Sequence, residues 1–155
     1  MQAKIDHRLA QLGIELPKPA PPAGAYVPFV LVGSLLVIAG QLPIRDGAIE
    51  HHGRVGAELS IEEGMQAARL CALNLLAQAR AACDGDLDRV RRVVRLGGFV
   101  HAVAGFVDHP RVLNGASELM VDVFGPAGRH ARLAVGAASL PLGAAVEIEG
   151  LFEID

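Results

Sequence analysis

From residue 145 to residue 154 the chain alternates between two kinds of side chain, and no other feature of the sequence restricts the fold so tightly. Val146, Ile148, Phe152 and Ile154 fall on one side, and Ala145, Glu147, Glu149 and Leu151 on the other. A period of two belongs to a β-strand, whose successive side chains point to opposite faces. This strand therefore has one face to bury and one that carries two carboxylates. Residues 131–138 form a second strand of the same kind. Leu133, Val135 and Ala137 share one of its faces, and Arg132, Ala134 and Gly136 share the other. Arg132 is expected on the open face of the sheet, beside Glu147 and Glu149.

Something must cover the buried face, and two helical patterns can do so. Ser60 followed by Glu63 is a capping box. After it, Met65, Ala68, Leu70, Leu73, Leu76, Ala77 and Ala81 recur at helical spacing until Asp84-Gly85-Asp86 breaks the run. A second helix opens at Asp108-His109-Pro110, presents Val112, Leu113, Ala116, Leu119, Met120 and Val123, and stops at Phe124-Gly125-Pro126. Residues 90–102 between them read as a strand, with Gly97-Gly98 marking a bulge or a close approach. Upstream, residues 25–32 and 35–39 form a hairpin through Gly33-Ser34. Pro28 confines the first of these to an edge or a bulge. A third short strand covers residues 48–50.

Ahead of the hairpin, Ile5, Leu9 and Leu12 outline a short amphipathic helix over residues 3–13. Four prolines at positions 17, 19, 21 and 22 make the following stretch an extended connector. The organisation is thus residues 1–23 as N-terminal helix and connector, and residues 24–155 as one domain. The order of elements predicts an α/β (α+β) layer structure, a mixed sheet with two helices packed on one face.

Composition narrows the function. The chain has 155 residues, is 52% hydrophobic and carries a net charge of −3, so it has a real core and no excess of positive charge. Phosphate binding depends on clustered Lys and Arg, and the acidic balance speaks against nucleic acid as a partner. The longest apolar stretch, residues 29–40, is too short for a bilayer, which needs about twenty residues. No basic segment leads into an apolar one at the start, and two cysteines make no disulfide or zinc framework. The expected location is the cytoplasm, with no membrane association. A sheet face of Ala, Gly, Val and Leu left uncovered is costly, and self-association into a closed homo-oligomer is the physical remedy.

Arg132 is the residue with the most chemistry to explain. A cation on such a surface needs an anion. One reading pairs it structurally with Glu147 or Glu149 across a subunit interface. The other makes it the bidentate anchor of a substrate carboxylate, with a glutamate to handle a proton or a water. His51 and His52 are adjacent and would point apart on a strand, so no metal site is expected. His130 is taken as a polar surface residue. Cys71 reads as core and Cys83 as a helix-end residue, neither in a setting that activates a thiol. Arg89, Arg91, Arg92 and Arg95 read as a solvated strand edge or an ion-pair network.

The order and spacing of several short motifs then carry a resemblance. Arg132 is followed by Leu140-Pro141 and by Glu147-Ile148-Glu149, with Gly24-Ala25-Tyr26, Ala39-Gly40-Gln41-Leu42-Pro43 and Val112-Leu113-Asn114 upstream. This set resembles the YjgF-type Rid family of reactive intermediate/imine deaminases, formerly labelled perchloric-acid-soluble endoribonucleases. The resemblance spans roughly residues 24–150 and points to a longer, divergent branch. It implies a chorismate-mutase-like fold and a homotrimer with sites between subunits. It also implies hydrolysis of 2-imino or enamine acids to 2-oxo acids and ammonia, a form of metabolite damage control, without metal or organic cofactor. By the same resemblance Arg132 holds the carboxylate and Glu147 positions or activates water, while Tyr26, Ala39, Gly40 and Asn114 line the pocket. Two departures stand out. Ala39 replaces a small hydroxyl residue, and Ala134 stands where many members carry Cys. The segment 101–111 is also longer than in compact members. The alternative functions are a non-catalytic trimer that binds small carboxylates such as 2-oxo acids and, with less support, an endoribonuclease.

Overall fold

A computed structural model describes residues 3–155 of the chain. The centre of the fold is a five-stranded sheet in the order β1-β2-β7-β5-β6. The strands are β1 (Phe29–Val32), β2 (Leu35–Gln41), β5 (Val90–His101), β6 (Ala131–Ala137) and β7 (Val146–Ile154). All neighbours are antiparallel except β5 and β6, which run parallel. A separate two-stranded ribbon joins β3 (Ile44–Arg45) and β4 (Ala48–Ile49). Two long helices, α2 (Ile61–Ala82) and α3 (His109–Phe124), cover one face. The short α1 (Lys4–Gln11) packs beside α3.

β7 occupies the middle of the sheet, as its alternation requires. Val146, Ile148, Phe152 and Ile154 are buried in the core. α2 lies across them with a nearly continuous buried stretch of Ala, Leu and Cys71. Its start is fixed as the sequence predicts. The Ser60 hydroxyl accepts from the Glu63 amide at 3.1 Å, and the Glu63 carboxylate accepts from the Ser60 amide at 3.1 Å. Low aromatic content leaves the layers close together. A side-chain carbon at Gly115 of α3 would overlap the Met65 carbonyl of α2. The crossing of the two helices therefore depends on that glycine.

Several boundaries differ from the sequence expectation. The first strand begins at Phe29 and not at residue 25, because Pro28 has no amide to give to a ladder. It is an edge strand, as Pro28 demands. Gly97-Gly98 marks a close approach. The β5 register is continuous there and shifts nearer its start, between Val90 and Arg92 and between Val93 and Arg95. Leu113 of α3 lies over Gly98, and Glu149 lies over Gly97.

The N-terminal helix is tied into the same core. Ile5 and Leu9 are buried. The Asp88 carboxylate accepts from the amides of Lys4 and Ile5, each at 2.8 Å, which supplies the cap that Ala3 cannot. The proline connector is held from below by the buried Gln78, whose amide donates to the Ala20 carbonyl at 2.9 Å.

The helix crossing yields a stability prediction. Gly115→Ala gains helix propensity of about 1 kcal/mol, but the new carbon meets backbone that cannot turn aside. Overpacking should win by about 1–3 kcal/mol. A thermal melt should show the variant melting several degrees lower; an unchanged or raised midpoint would show that the crossing tolerates the extra carbon.

Candidate functional site

The residues singled out by sequence fall into two clusters, and the sheet keeps them apart. The first lies where β2 approaches β7. The register between these strands slips between Ile38 and Gln41, so Ala39-Gly40 forms a bulge. The buried Gln41 donates its side-chain amide to the Ala39 carbonyl at 3.0 Å and fixes that bulge. Just beyond it, the buried Asn74 of α2 donates to the carbonyls of Leu42 and Ile44, at 3.0 and 2.9 Å. Two side-chain amides thus satisfy carbonyls that the sheet leaves unpaired.

The bulge sets Gly40 against Glu147. A side-chain carbon at Gly40 would collide with the Glu147 carboxylate, so only glycine fits while Glu147 keeps this position. Beside them is a small cavity of about 60 Å3, lined by Pro21, Tyr26, Ala39, Gly40, Leu42 and Leu142 among others. The Tyr26 hydroxyl accepts from the Ala23 amide at 3.1 Å, and the ring is half exposed at the rim. Leu142, also exposed, adopts a left-handed backbone with φ of 59°, an unusual state for a bulky residue. Gly40, Glu147, Tyr26 and Ala39 therefore share one neighbourhood. Partial burial pushes the Glu147 carboxyl above its ordinary value of 4.5, and the nearby Glu149 charge adds to the shift.

The second cluster lies on the far edge of the sheet. Arg132 of β6 reaches up to α3. Its Nη1 donates to the Asn114 Oδ1 at 2.9 Å and to the Ser117 hydroxyl at 3.1 Å. Arg132 and Asn114 are together, but Arg132 is not on the open face with Glu147 and Glu149, and that expectation is corrected here. In the parallel pair, Arg132 sits opposite Leu96, which is fully buried under the helices. Arg132 shares that face and escapes the core only because β6 is an edge. Leu133 and Val135 are the residues on the carboxylate side. Alternation within 131–138 separates two faces, but apolar residues on both leave their assignment undetermined.

Neither structural pairing of Arg132 occurs within the chain. Glu149 bonds Arg95 at 3.2 Å. Among the described residues no carboxylate pairs with Arg132, and its charge is held only by neutral acceptors. Most other arginines are occupied: Arg89 with Asp84 and Asp155, Arg91 with Asp155, Arg80 with Asp6. The basic cluster of β5 is thus largely an ion-pair network.

His130 is also corrected. It is half-buried and bonded through both ring nitrogens, to Ser117 at 2.9 Å and to the Gly128 carbonyl at 2.7 Å. Burial, reinforced by the Arg132 charge, lowers its pKa from the usual 6.5, against the pull of the Gly128 carbonyl. Sequence reasoning passed over Ser117 and Asn74, and named Gln41 only as part of a motif, with no role. Asn74 and Gln78, four residues apart inside the apolar stretch of α2, were a legible sign of carbonyls needing donors. Ser117 had no such signal, since a serine on a helix flank is ordinary.

The two clusters cannot meet within one chain. β5 separates β7 from β6, which places Glu147 and Arg132 about 10 Å apart across the strands alone, and they face opposite sides of the sheet. A larger cavity, about 1020 Å3, lies elsewhere, between the connector at residues 15–21 and the β3–β4 turn. It contains none of these residues, and its Arg45 is already paired with Glu50 at 3.0 Å. Among the described residues no group of three or more His, Cys, Asp or Glu is placed to hold a metal ion. No helix there is long and apolar enough to cross a membrane.

Comparison with known proteins agrees with this architecture. Residues 6–153 match the family model described as YjgF/chorismate mutase-like, putative endoribonuclease. The chain is 48% identical over 153 residues to Protein TCP17 of Trypanosoma cruzi, covering 98% of this chain and 95% of that protein. Among solved structures, it is 49% identical to the protein Atu1372 of unknown function from Agrobacterium tumefaciens, with a TM-score of 0.90 over 97% of this chain and 92% of the other. It is 37% identical to a putative endoribonuclease from Shewanella oneidensis, with a TM-score of 0.93 over 97% and 99%. A match over nearly the whole length, in sequence and in backbone structure, means that the chain belongs to the YjgF/chorismate mutase-like family.

Proposed function

We propose that this protein hydrolyses 2-imino or enamine acids to 2-oxo acids and ammonia, at sites completed between subunits of a homotrimer. The observation that carries the reading is Arg132. It is a cation at an open sheet edge, fixed by two neutral acceptors and matched by no carboxylate among the described residues. A guanidinium in that state is suited to a ligand carboxylate.

Assembly follows from the separation of the clusters. A small imino acid cannot touch Arg132 and Glu147 of one chain, so the second cluster must come from a neighbouring copy. The open face favours such contact. Val30, Val32, Leu35 and Val37 are exposed on it as an apolar patch along β1 and β2 that water penalises, and Leu133 is exposed near its other edge. Arg132 and Asn114 of one subunit would then face Tyr26, Ala39, Gly40 and Glu147 of the next.

The chemistry asks little of the protein. The imine carbon is already electrophilic. Glu147 takes a proton from water as the oxygen adds to that carbon, giving a carbinolamine. The same carboxyl returns that proton to nitrogen; the carbinolamine hydroxyl then passes its own proton through the carboxylate to the nitrogen, its oxygen becomes the carbonyl as the C–N bond breaks, and ammonia leaves the 2-oxo acid. A carboxyl raised above its ordinary value is better suited to both transfers. The Gly40 bulge keeps the space beside it free of side chain.

Imine hydrolysis is the direct test. Imino acids freshly generated by an amino-acid oxidase and trapped with semicarbazide should give less trapped product in proportion to added protein. Arg132→Ala should abolish the effect while the oligomer, followed by light scattering, persists. No effect across small, branched and aromatic imines would sink the hydrolase reading and leave a carboxylate-binding trimer. Dissociation of the Arg132→Ala oligomer would make Arg132 an interface residue instead.

Glu147 gives a second test with opposite signs for activity and stability. Glu147→Gln should lower turnover by at least about 10²-fold, the usual worth of a general acid–base group. Its folded pKa is raised, so its contribution to stability is present below 4.5 and is lost as pH rises through the folded value. At pH 7 that contribution no longer favours the fold. The glutamine variant should therefore melt no lower than the wild type there. A markedly lower melting temperature at pH 7 would assign Glu147 to structure.

A further inference from the structure

The rim between β6 and α3 holds a chain of hydrogen bonds whose directions are all determined. The Gly128 carbonyl can only accept, so the proton of neutral His130 is on Nδ1, which donates at 2.7 Å. Nε2 is then an acceptor, and the Ser117 hydroxyl must donate to it at 2.9 Å. With its proton so committed, the Ser117 oxygen presents lone pairs to Arg132 Nη1 at 3.1 Å. The far end is anchored in backbone. Gly128 is buried, and a side-chain carbon on it would overlap the Met120 carbonyl of α3.

Arg132 Nη1 has two protons, and both are used, one by Ser117 and one by Asn114. Among the described residues nothing bonds the Nε and Nη2 edge. That edge presents two parallel N–H groups, the fork that matches a carboxylate. An exposed arginine otherwise has rotamer entropy to lose when it binds. A carboxylate could hold it, but would also neutralise it. A chain ending on a backbone carbonyl holds it and leaves the charge intact.

We propose that Ser117 and His130 are positioning residues for Arg132, orienting its guanidinium so that the Nε/Nη2 edge receives the carboxylate of a 2-oxo or 2-imino acid. This rests on Arg132 being the carboxylate anchor. Neither Ser117 nor His130 touches the ligand; His130 acts through Ser117, and Ser117 through the guanidinium.

The test is binding of pyruvate and phenylpyruvate to the full chain by calorimetry, using whichever binds more tightly. Arg132→Ala should abolish binding. Ser117→Ala and His130→Ala should each raise Kd about three- to ten-fold, the usual worth of one hydrogen bond. The double variant should be no weaker than Ser117→Ala, because the two residues act in series. His130→Gln should restore affinity, since its side-chain oxygen reaches the Nε2 position and can accept from Ser117. His130→Asn should not, since it reaches only the Gly128 carbonyl. The Gln/Asn contrast decides the matter even where His130→Ala fails to fold. Equal affinities for wild type, Gln and Asn, with binding still lost in Arg132→Ala, would overturn the positioning role and leave the anchor standing. Binding that survives Arg132→Ala, or is absent from the wild type, would overturn the anchor and this inference with it.

Discussion

The burial of one face of β7 under α2 is the constraint on which the remaining features depend. A strand with a period of two can bury Val146, Ile148, Phe152 and Ile154 in one register only. A slip of a single residue would put Glu147 and Glu149 into the core and four large apolar groups into water. The cost of two unpaired buried carboxylates makes that register inaccessible. Once β7 is fixed, its neighbours β2 and β5 are fixed too. The hydrophobic term thus places Glu147 on the open face without any interaction specific to Glu147.

The polar part of the fold is built by a different rule. Where backbone leaves the ladder, a buried side-chain amide meets it. Gln41 satisfies Ala39 within the bulge, Asn74 satisfies Leu42 and Ile44, and Gln78 satisfies Ala20 in the connector. Asn74 and Gln78 are one helical turn apart on α2. The helix that buries the sheet therefore also holds the irregular segment from the connector to β3. That coupling shapes the small cavity at Gly40, because its walls come from both segments. A change deep in α2 reaches the cavity through three hydrogen bonds.

The sequence was most readable where one physical term dominated. Both long helices, the Gly33-Ser34 hairpin, the edge placement of β1 and the central alternation all follow from burial, capping or proline chemistry. Arg132 was misplaced because no term dominated. β6 is an edge strand with partly exposed small residues on both faces, so a flip costs little and leaves no mark in the pattern. Only its parallel pairing with β5 settles the faces, and Leu96 opposite Arg132 is a long-range fact. The same holds for His130. Its partners are Ser117, a full helix away in sequence terms, and the Gly128 carbonyl in the turn after α3. Composition reports that a histidine can be polar, not that one acceptor and one donor will hold its two ring nitrogens.

The two clusters differ in how they treat charge, and the difference follows from their place in the sheet. Glu147 sits on the middle strand, where partial burial and a like charge nearby make its proton harder to lose. Arg132 sits on an edge, where its guanidinium meets only neutral acceptors among the described residues. For a group that must exchange a proton, destabilising the charged form is useful. For one that must only attract an anion, it would be wasted, and what helps is orientation without neutralisation. Asn114, Ser117 and His130 supply orientation with no negative charge. A neutral His130 completes this arrangement, because a second fixed cation beside Arg132 would raise the cost of holding both when no ligand is bound.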